Sequence, residues 1–298
     1  MNLLRWRRRD GAQRQRQRCR SALAPAQAMD RAGRHAEAEA EARSLAEARS
    51  RRRDKVGSAL ALCLAAKAMN SQGRHAEALA EYDAVLPVFV EAFGSDDFDT
   101  LNLRVQRAHA LALVARYAEA ETECAAVARI VDRGRDADPG LTILAGTARH
   151  GLIHVLNAQE HYAEAEALAS ETLALRAFRY GPLADPRVTG ELQGVLRLGL
   201  ARSLNGQRRH DEALTEVAHA KELRRNAPDG PGNSGSGAAG LIEATALLGL
   251  GRKSEARACA TAAYDAALAA FGMHHFRVAE ARTLLGRIDD GDSHGFES

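Results

Sequence analysis

The sequence predicts an all-α fold made of repeated helix-turn-helix units. A six-residue phrase, Gly-Arg-His-Ala-Glu-Ala, ends at Ala38 and recurs letter for letter up to Ala78. Looser copies follow, and the six closing alanines are Ala38, Ala78, Ala120, Ala165, Ala213 and Ala256, in steps of 40, 42, 45, 48 and 43 residues. A period of this length is typical of arrays in which each unit buries its apolar face against its neighbours. No stretch alternates polar and apolar residues over the length of a strand.

Each phrase is predicted to form the turn between two helices. In the second unit the preceding helix has a broad apolar face that contains Leu60, Leu62, Leu64, Ala65, Ala66 and Met69. Gly73 supplies the C-terminal cap that lets the chain reverse. Glu77 falls in the first turn of the next helix, where the helix dipole favours a carboxylate. We expect Ala78 to face the paired helix at its closest approach, which requires a small side chain.

An aromatic residue followed by glycine is predicted to end second helices, at Phe93-Gly94, Tyr180-Gly181 and Phe271-Gly272. Residues 275–288 predict one further helix, which would cover the exposed end of the stack as terminal repeats must. The array is therefore expected over residues 21–288, as about six antiparallel units and a C-terminal capping helix. Pro25 lies inside the first predicted helix and indicates a kinked or incomplete first unit.

Three segments fall outside the array. Residues 1–20 contain eight arginines and one aspartate, a balance of +7, so the other 278 residues sum to −5 of the total of +2. Residues 227–238 contain two prolines and four glycines and are predicted to be a flexible linker before the last unit. The polar tail at residues 289–298 and the basic arm at residues 1–20 are predicted to be disordered.

Composition narrows the class of protein. Aromatic residues make up only 4% of the chain, so the interior must be built from alanine, leucine and valine. The four cysteines are scattered, which fits reduced thiols in a cytoplasmic protein better than disulfides or a zinc site. No apolar run reaches 18 residues and no signal-peptide core follows the N-terminal arginines, so we expect neither a transmembrane segment nor secretion.

The sequence predicts no catalytic site and no cofactor. It has no phosphate-binding glycine loop, no dinucleotide fingerprint and no G-x-S-x-G motif. His150 and His154 have the i, i+4 spacing of helical zinc ligands, but no third ligand lies at a fitting position. These two histidines are therefore interpreted as part of a polar helix face, and His274 and His275 as turn and cap residues. No metal site is expected.

The phrases with a small residue at each closing position resemble tetratricopeptide repeats. The long steps and the aromatic-glycine endings are similar to the kinesin-light-chain type found in bacteria, over roughly residues 21–288. This resemblance implies a right-handed superhelical solenoid whose first helices line a concave groove that binds a peptide or partner protein, without catalysis. The chain departs from this type where a Leu-Asn-Asn-Leu-Ala stretch is expected, because residues 62–66 read Leu-Cys-Leu-Ala-Ala and lack the ligand-binding asparagines.

Two positions in each first helix are expected to face the groove, eleven and eight residues before the closing alanine. They provide the candidate binding residues Lys67, Asn70, His109, His154, Asn157, Arg202 and Asn205. Three i, i+3 pairs of a basic residue and an asparagine result, each on one helix face. Such pairs would hold the carboxylates and backbone of an extended acidic peptide. The alternative is that these residues are the ordinary solvated wall of the groove.

The basic arm suggests a second function. Trp6, Arg7, Arg8 and Arg9 would contact the phosphates of a nucleic acid or an anionic membrane surface. The protein would then be a nucleic-acid- or surface-associated regulator with the repeats as its sensing module. The alternative is a disordered, solubilising N-terminus or a mis-assigned start.

Overall fold

The computed structural model describes residue 17 and residues 19–134, 139–179, 186–225, 237–273 and 275–293. Within these ranges the chain forms thirteen α-helices and no β-strand. Helix α1 covers residues 19–31, and the others are α2 His35–Arg51, α3 Lys55–Ser71, α4 His75–Phe93, α5 Phe98–Leu113, α6 Tyr117–Gly134, α7 Pro139–Ala158, α8 Tyr162–Arg179, α9 Pro186–Gly206, α10 His210–Arg225, α11 Ala238–Gly249, α12 Lys253–Phe271 and α13 Phe276–Ser293.

The helices of the described residues follow the predicted order of six pairs and one terminal helix. Odd-numbered helices from α1 to α11 precede a repeated phrase, and even-numbered helices follow it. Helix α13 is the expected additional helix, but it continues to Ser293 rather than ending at residue 288. Asp289, which the sequence assigned to a disordered tail, lies in this helix and pairs with Arg257 of α12. Residues 294–298 lie outside the described residues.

The chain forms two compact units, Met1–Ala110 and Leu111–Ser298, and the boundary falls within α5. In the first unit a buried cluster joins α1, α2 and α3 through Leu23, Ala42 and Leu64. In the second unit one cluster joins helices α7 to α11 and another joins α11, α12 and α13. Alanine, leucine and valine supply most of these side chains, as the low aromatic content requires.

The six closing alanines are buried completely, at 0% exposure for Ala38, Ala78, Ala120, Ala165, Ala213 and Ala256. Tyr82 and Val85, which follow Ala78 by four and seven residues, are buried on the same face of α4. The predicted role of the closing alanine is therefore confirmed. A small side chain is needed there because it lies inside the packed helix array.

Each turn contains one residue in the left-handed region, five residues before the closing alanine. Its φ is 78° at Gly33, 83° at Gly73, 76° at Gly251, 61° at Ala115, 63° at Glu160 and 62° at Arg208. In the second repeat the turn is closed by two backbone hydrogen bonds, from Gly73 N to Asn70 O at 3.1 Å and from Arg74 N to Met69 O at 3.0 Å. The glycine cap predicted at residue 73 is thus confirmed.

We expect Gly73→Val to lower the free energy of unfolding by about 1–2 kcal/mol, because a side chain with a β-carbon is strained in the left-handed region. Urea denaturation followed by far-ultraviolet circular dichroism measures this change. The matched control is Ala115→Gly at the same turn position, which relieves strain and should not destabilise the protein. Equal losses in the two variants would contradict this explanation of the turn.

The structure describes parts of the predicted arm and of the predicted linker. Helix α1 includes Cys19 and Arg20, the last two residues of the predicted arm; Cys19 is buried, and Arg20 donates a hydrogen bond of 2.7 Å to Asp99. Helix α1 also continues through Pro25, so the first repeat has both of its helices. The predicted linker at residues 227–238 lies outside the described residues except for Gly237 and Ala238, and Ala238 begins α11.

Candidate binding pocket

The predicted binding residues lie in both units. Lys67, Asn70 and His109 belong to the first unit, and His154, Asn157, Arg202 and Asn205 to the second. The structure brings Asn157, Arg202 and Asn205 together around one pocket. His154 is on α7, one turn before Asn157, and is half-buried.

The pocket lies in the second unit and has a volume of about 400 Å³. Helices α7, α9, α11 and α13 line it, together with Tyr162 at the start of α8. Its polar lining includes Asn157, Arg202, Asn205, Thr245, Glu280 and Arg287, while Leu241, Ile242 and Leu284 supply apolar surface. Successive first helices and the terminal helix therefore line one common pocket within this unit.

The charges around the pocket are mainly positive. Arg202 of α9 forms an ion pair of 2.8 Å with Glu280 of α13, and Arg287 adds a second guanidinium group. Arg277 lies one turn before Glu280 on α13, and burial lowers its pKa to about 10. The negative charge of Glu280 opposes this shift, and the positive charges of Arg202 and Arg224 add to it. Arg277 stays protonated at neutral pH, so the pocket is bordered by more positive than negative charge.

The amide nitrogens of the pocket asparagines hold neighbouring helices together. Asn157 Nδ2 donates hydrogen bonds to Ile153 O at 3.0 Å and to Gly199 O of α9 at 3.1 Å. Asn205 Nδ2 donates to Ile242 O of α11 at 2.9 Å. Each of these asparagines thus ties one first helix to the next, a structural role that the sequence reasoning did not foresee.

The histidine of the repeated phrase has a partner that the sequence reasoning also missed. His75 Nδ1 lies 2.6 Å from Asn70 Oδ1, and His210 Nδ1 lies 3.0 Å from Asn205 Oδ1. In each pair the asparagine lies five residues before the histidine, on the other side of the turn. We call this contact the turn lock. Histidine in the phrase and an acidic or amide residue five positions earlier occur together in the first, second and fifth repeats, and this co-occurrence was visible in the sequence.

In the first repeat the turn lock involves a carboxylate. His35 Nδ1 lies 2.8 Å from Asp30 Oδ1, and Lys67 Nζ lies 2.9 Å from Asp30 Oδ2. Burial raises the pKa of Asp30, but the hydrogen bond from His35 and the charge of Lys67 outweigh burial, so the pKa lies below its ordinary value. Lys67, predicted to contact a ligand, therefore compensates the charge of a buried aspartate of α1.

The cysteines and His275 have structural roles. Burial raises the pKa of Cys63 and of Cys124 to about 12, so these thiols are protonated at neutral pH. His275 stacks on Phe271 with ring centroids 4.2 Å apart and accepts a hydrogen bond of 3.2 Å from Arg277 N. This hydrogen bond caps the start of α13, the role predicted for this residue. In the described part of the chain, no three histidine, cysteine, aspartate or glutamate residues lie close enough together to hold a metal ion.

The basic arm cannot be placed in this arrangement, since Trp6, Arg7, Arg8 and Arg9 lie outside the described residues. Its use in binding nucleic acid or an anionic surface stays a prediction. Among the helices that the structure describes, none combines the length and hydrophobicity needed to cross a membrane.

The helices resemble solved structures of repeat proteins. A putative kinesin light chain from Podospora anserina with nearly identical TPR-like repeats matches with a TM-score of 0.52 and 17% identity, over 72% of this chain and 98% of that one. A tetratricopeptide repeat protein from Parabacteroides merdae matches with a TM-score of 0.43 and 12% identity, over 91% of this chain and 99% of that one. The TPR2AB domain of yeast Sti1, in a complex with pHSP90, gives a TM-score of 0.32 and 14% identity, over 92% and 99%.

No family model matches the sequence, and neither does any curated protein. The likeness to the Podospora structure concerns the fold, and it agrees with the six helix pairs, the buried closing alanines and the left-handed turns described above. The prediction made from the repeated phrase is confirmed: the chain has the tetratricopeptide-repeat fold, with repeats similar to those of kinesin light chains.

Proposed function

We propose that this chain is a non-catalytic scaffold that binds an acidic peptide segment of a partner protein in the pocket of its second unit. The pocket itself is the observation that carries this proposal. It has about 400 Å³, within the ~300–1,000 Å³ usual for ligand sites, and its polar groups come from four different helices. A repeat array with such a surface binds a partner through shape and charge.

The charge around the pocket favours an acidic ligand. Glu280 is the one carboxylate among the described lining residues, and Arg202 already neutralises it. Arg287 would then bind a carboxylate of the ligand. A guanidinium group binds a carboxylate through paired, charge-assisted hydrogen bonds. Arg224 and Arg277 add positive charge nearby.

The pocket offers little for catalysis. No histidine or cysteine occurs among its described lining residues, and its one carboxylate is engaged by an arginine. General acid–base or nucleophilic chemistry needs a group whose proton can be exchanged near neutral pH. The lining supports binding, and we assign no reaction to it.

We expect Arg287→Gln to weaken binding of an acidic peptide about tenfold, since a hydrogen bond to a charged group contributes about 1.5–3 kcal/mol. The probe is a fluorescein-labelled peptide of alternating aspartate and alanine, with fluorescence anisotropy as the measurement. A peptide with asparagine in place of aspartate should bind more weakly to the wild-type protein. Arg282→Gln provides the matched control, because Arg282 is exposed on the same helix and does not line the pocket.

Two results would contradict the proposal. One is equal binding of the aspartate and asparagine peptides by the wild-type protein. The other is an equal loss of affinity in the two arginine variants, which would mean that general surface charge, rather than the pocket, attracts the peptide.

A further inference from the structure

The turn between α2 and α3, in the first unit, concentrates positive charge. Residues 49–55 read Arg-Ser-Arg-Arg-Arg-Asp-Lys, with five basic residues and one aspartate. The turn between α4 and α5 has the corresponding place in the next repeat, and residues 94–99 there read Gly-Ser-Asp-Asp-Phe-Asp. Two equivalent turns of one unit thus have opposite charge. The basic run is therefore a local feature and does not simply follow from the high arginine content of the chain.

Three side chains of the basic turn are available to a ligand. The acidic residues beside them are neutralised by other arginines, in the ion pairs Arg49–Asp54 at 3.1 Å and Arg51–Glu47 at 3.2 Å. Arg52, Arg53 and Lys55 are exposed, and their side chains have no hydrogen bond or ion pair with another described residue. The turn therefore presents three positive charges to solvent.

The backbone of this turn is held in place without any help from these side chains. Asp54 Oδ1 accepts a hydrogen bond of 2.9 Å from Gly57 N and caps α3, and Asp54 N donates to Arg49 O at 3.0 Å. Arg53 has a φ of 60°, in the left-handed region, where glycine is more favourable than any residue with a β-carbon. The conformation of the turn therefore does not require an arginine at residue 53.

The basic arm joins α1 beside this turn. Burial raises the pKa of the Cys19 thiol at the start of α1, the charge of Arg49 lowers it and the charge of Asp54 raises it, so all three groups lie close together. Six of the eight arginines of the arm precede residue 17. Arg20 is already paired with Asp99 of α5, so the earlier arginines are the ones left for a ligand.

We propose that the α2–α3 turn and the basic arm together bind the phosphate backbone of a double-stranded nucleic acid. Arg52, Arg53 and Lys55 would contact phosphates without reading the base sequence. Guanidinium groups bind phosphates through paired, charge-assisted hydrogen bonds, and the counterions released from the duplex add to the affinity. This inference concerns the first unit and does not depend on the peptide pocket of the second unit.

The composition of the two segments favours a duplex over a single strand or a membrane. Residues 49–55 contain no aromatic and no apolar side chain. Unpaired bases bind by stacking on aromatic rings, and a membrane-binding surface needs apolar side chains that insert between lipids. Residues 13–18 of the arm alternate glutamine and arginine, and both of these side chains donate hydrogen bonds to phosphate oxygens.

The test is the double substitution Arg52→Gln with Arg53→Gly in the full chain. The probe is a fluorescein-labelled DNA duplex, with fluorescence anisotropy measured between about 50 and 200 mM salt. We expect about tenfold weaker binding and a log–log salt slope that is smaller by about 2, because each neutralised phosphate contributes about 0.9. Glycine relieves the left-handed strain at residue 53, so urea denaturation should show no loss of stability.

The matched control is Arg31→Gln with Arg34→Gln, in the turn between α1 and α2. It removes the same charge from the same unit, at the other end of α2, whose 17 residues span about 25 Å. Affinity and salt slope should stay close to those of the wild type. A third variant, Arg8→Gln with Arg9→Gln in the arm, should weaken binding as the turn variant does.

Each other outcome overturns a stated part of the proposal. Equal losses in the turn variant and the control would mean that net charge alone attracts the duplex. A loss in the arm variant without one in the turn variant would assign binding to the arm and remove the role of Arg52 and Arg53. Phosphatidylserine vesicles provide the comparison with a membrane. Binding to vesicles that depends on both arginines, without binding to the duplex, would overturn nucleic acid as the ligand.

Discussion

Replacing Leu196 with alanine is expected to lower the free energy of unfolding by about 2–5 kcal/mol. Leu196 lies on α9, is 0% exposed, and belongs to the cluster that joins helices α7 to α11. The substitution removes buried apolar area and leaves a cavity, which packed helices on both sides can fill only in part. Because total stabilities are about 5–15 kcal/mol, the loss would be a large part of the whole.

Urea denaturation followed by far-ultraviolet circular dichroism provides the measurement. Leu198→Ala is the control, since Leu198 lies on the same helix and is only partly buried against the same cluster. It changes helix propensity in the same way but removes less buried area, so its effect should be clearly smaller. Equal effects would show that Leu196 does not occupy the packed core that the structure assigns to it.

The parts of the fold that depend on local spacing could be predicted from the sequence. The closing alanines, the left-handed glycine at residue 73 and the helix ends at Phe93 and Phe271 all recur at fixed offsets within one repeat. Such features depend on helix geometry over a few turns, and each repeat supplies another copy of the same pattern. The end of α13 was less predictable, because polar residues extend a helix without any apolar periodicity to mark them.

The candidate site was less predictable because long-range partners decide what a polar residue does. The sequence places Lys67 and Arg202 on the groove side of their helices, but it does not reveal that Asp30 and Glu280 lie opposite them. The position of a residue within the repeat predicts the helix face on which it lies. It does not predict which charged residues of another helix lie opposite that face. The structure therefore gives Lys67 an intramolecular partner, and among the pocket-lining arginines it makes Arg287 the better candidate for a ligand.

The arginine and glutamate of the repeated phrase have a similar explanation. Arg74 Nε donates to Glu77 at 2.8 Å within its own turn, and Arg74 Nη1 donates to Glu39 of the previous repeat at 2.6 Å. Arg209 makes the same two kinds of contact, with Glu212 and Glu166. The position of the glutamate in the sequence indicates only an interaction with the helix dipole. The ion pair within each turn explains why arginine and glutamate recur together in the phrase, and the contacts between repeats give the arginine a second partner.

His150 is expected to make the second unit sensitive to acid. Burial, together with the positive charge of Arg277 of α13, lowers the pKa of His150 to about 4. In the unfolded chain a histidine titrates near ~6.5, so between these two values the folded state binds fewer protons than the unfolded state. The free energy of unfolding therefore keeps its full value above the pKa that His150 has in the unfolded chain. It decreases as the pH falls from ~6.5 towards 4.

The size of this loss follows from the pKa difference. One pKa unit corresponds to about 1.4 kcal/mol, and partial exposure of His150 to solvent reduces the full value, so we expect about 2–3 kcal/mol. His150→Gln removes the titrating group, and its unfolding free energy should fall less than that of the wild type between neutral pH and about pH 4. His219→Gln is the control because His219 is exposed at the surface of α10. If His150→Gln retained the full acid sensitivity of the wild type while His219→Gln reduced it, the desolvation of His150 beside Arg277 would not be the cause.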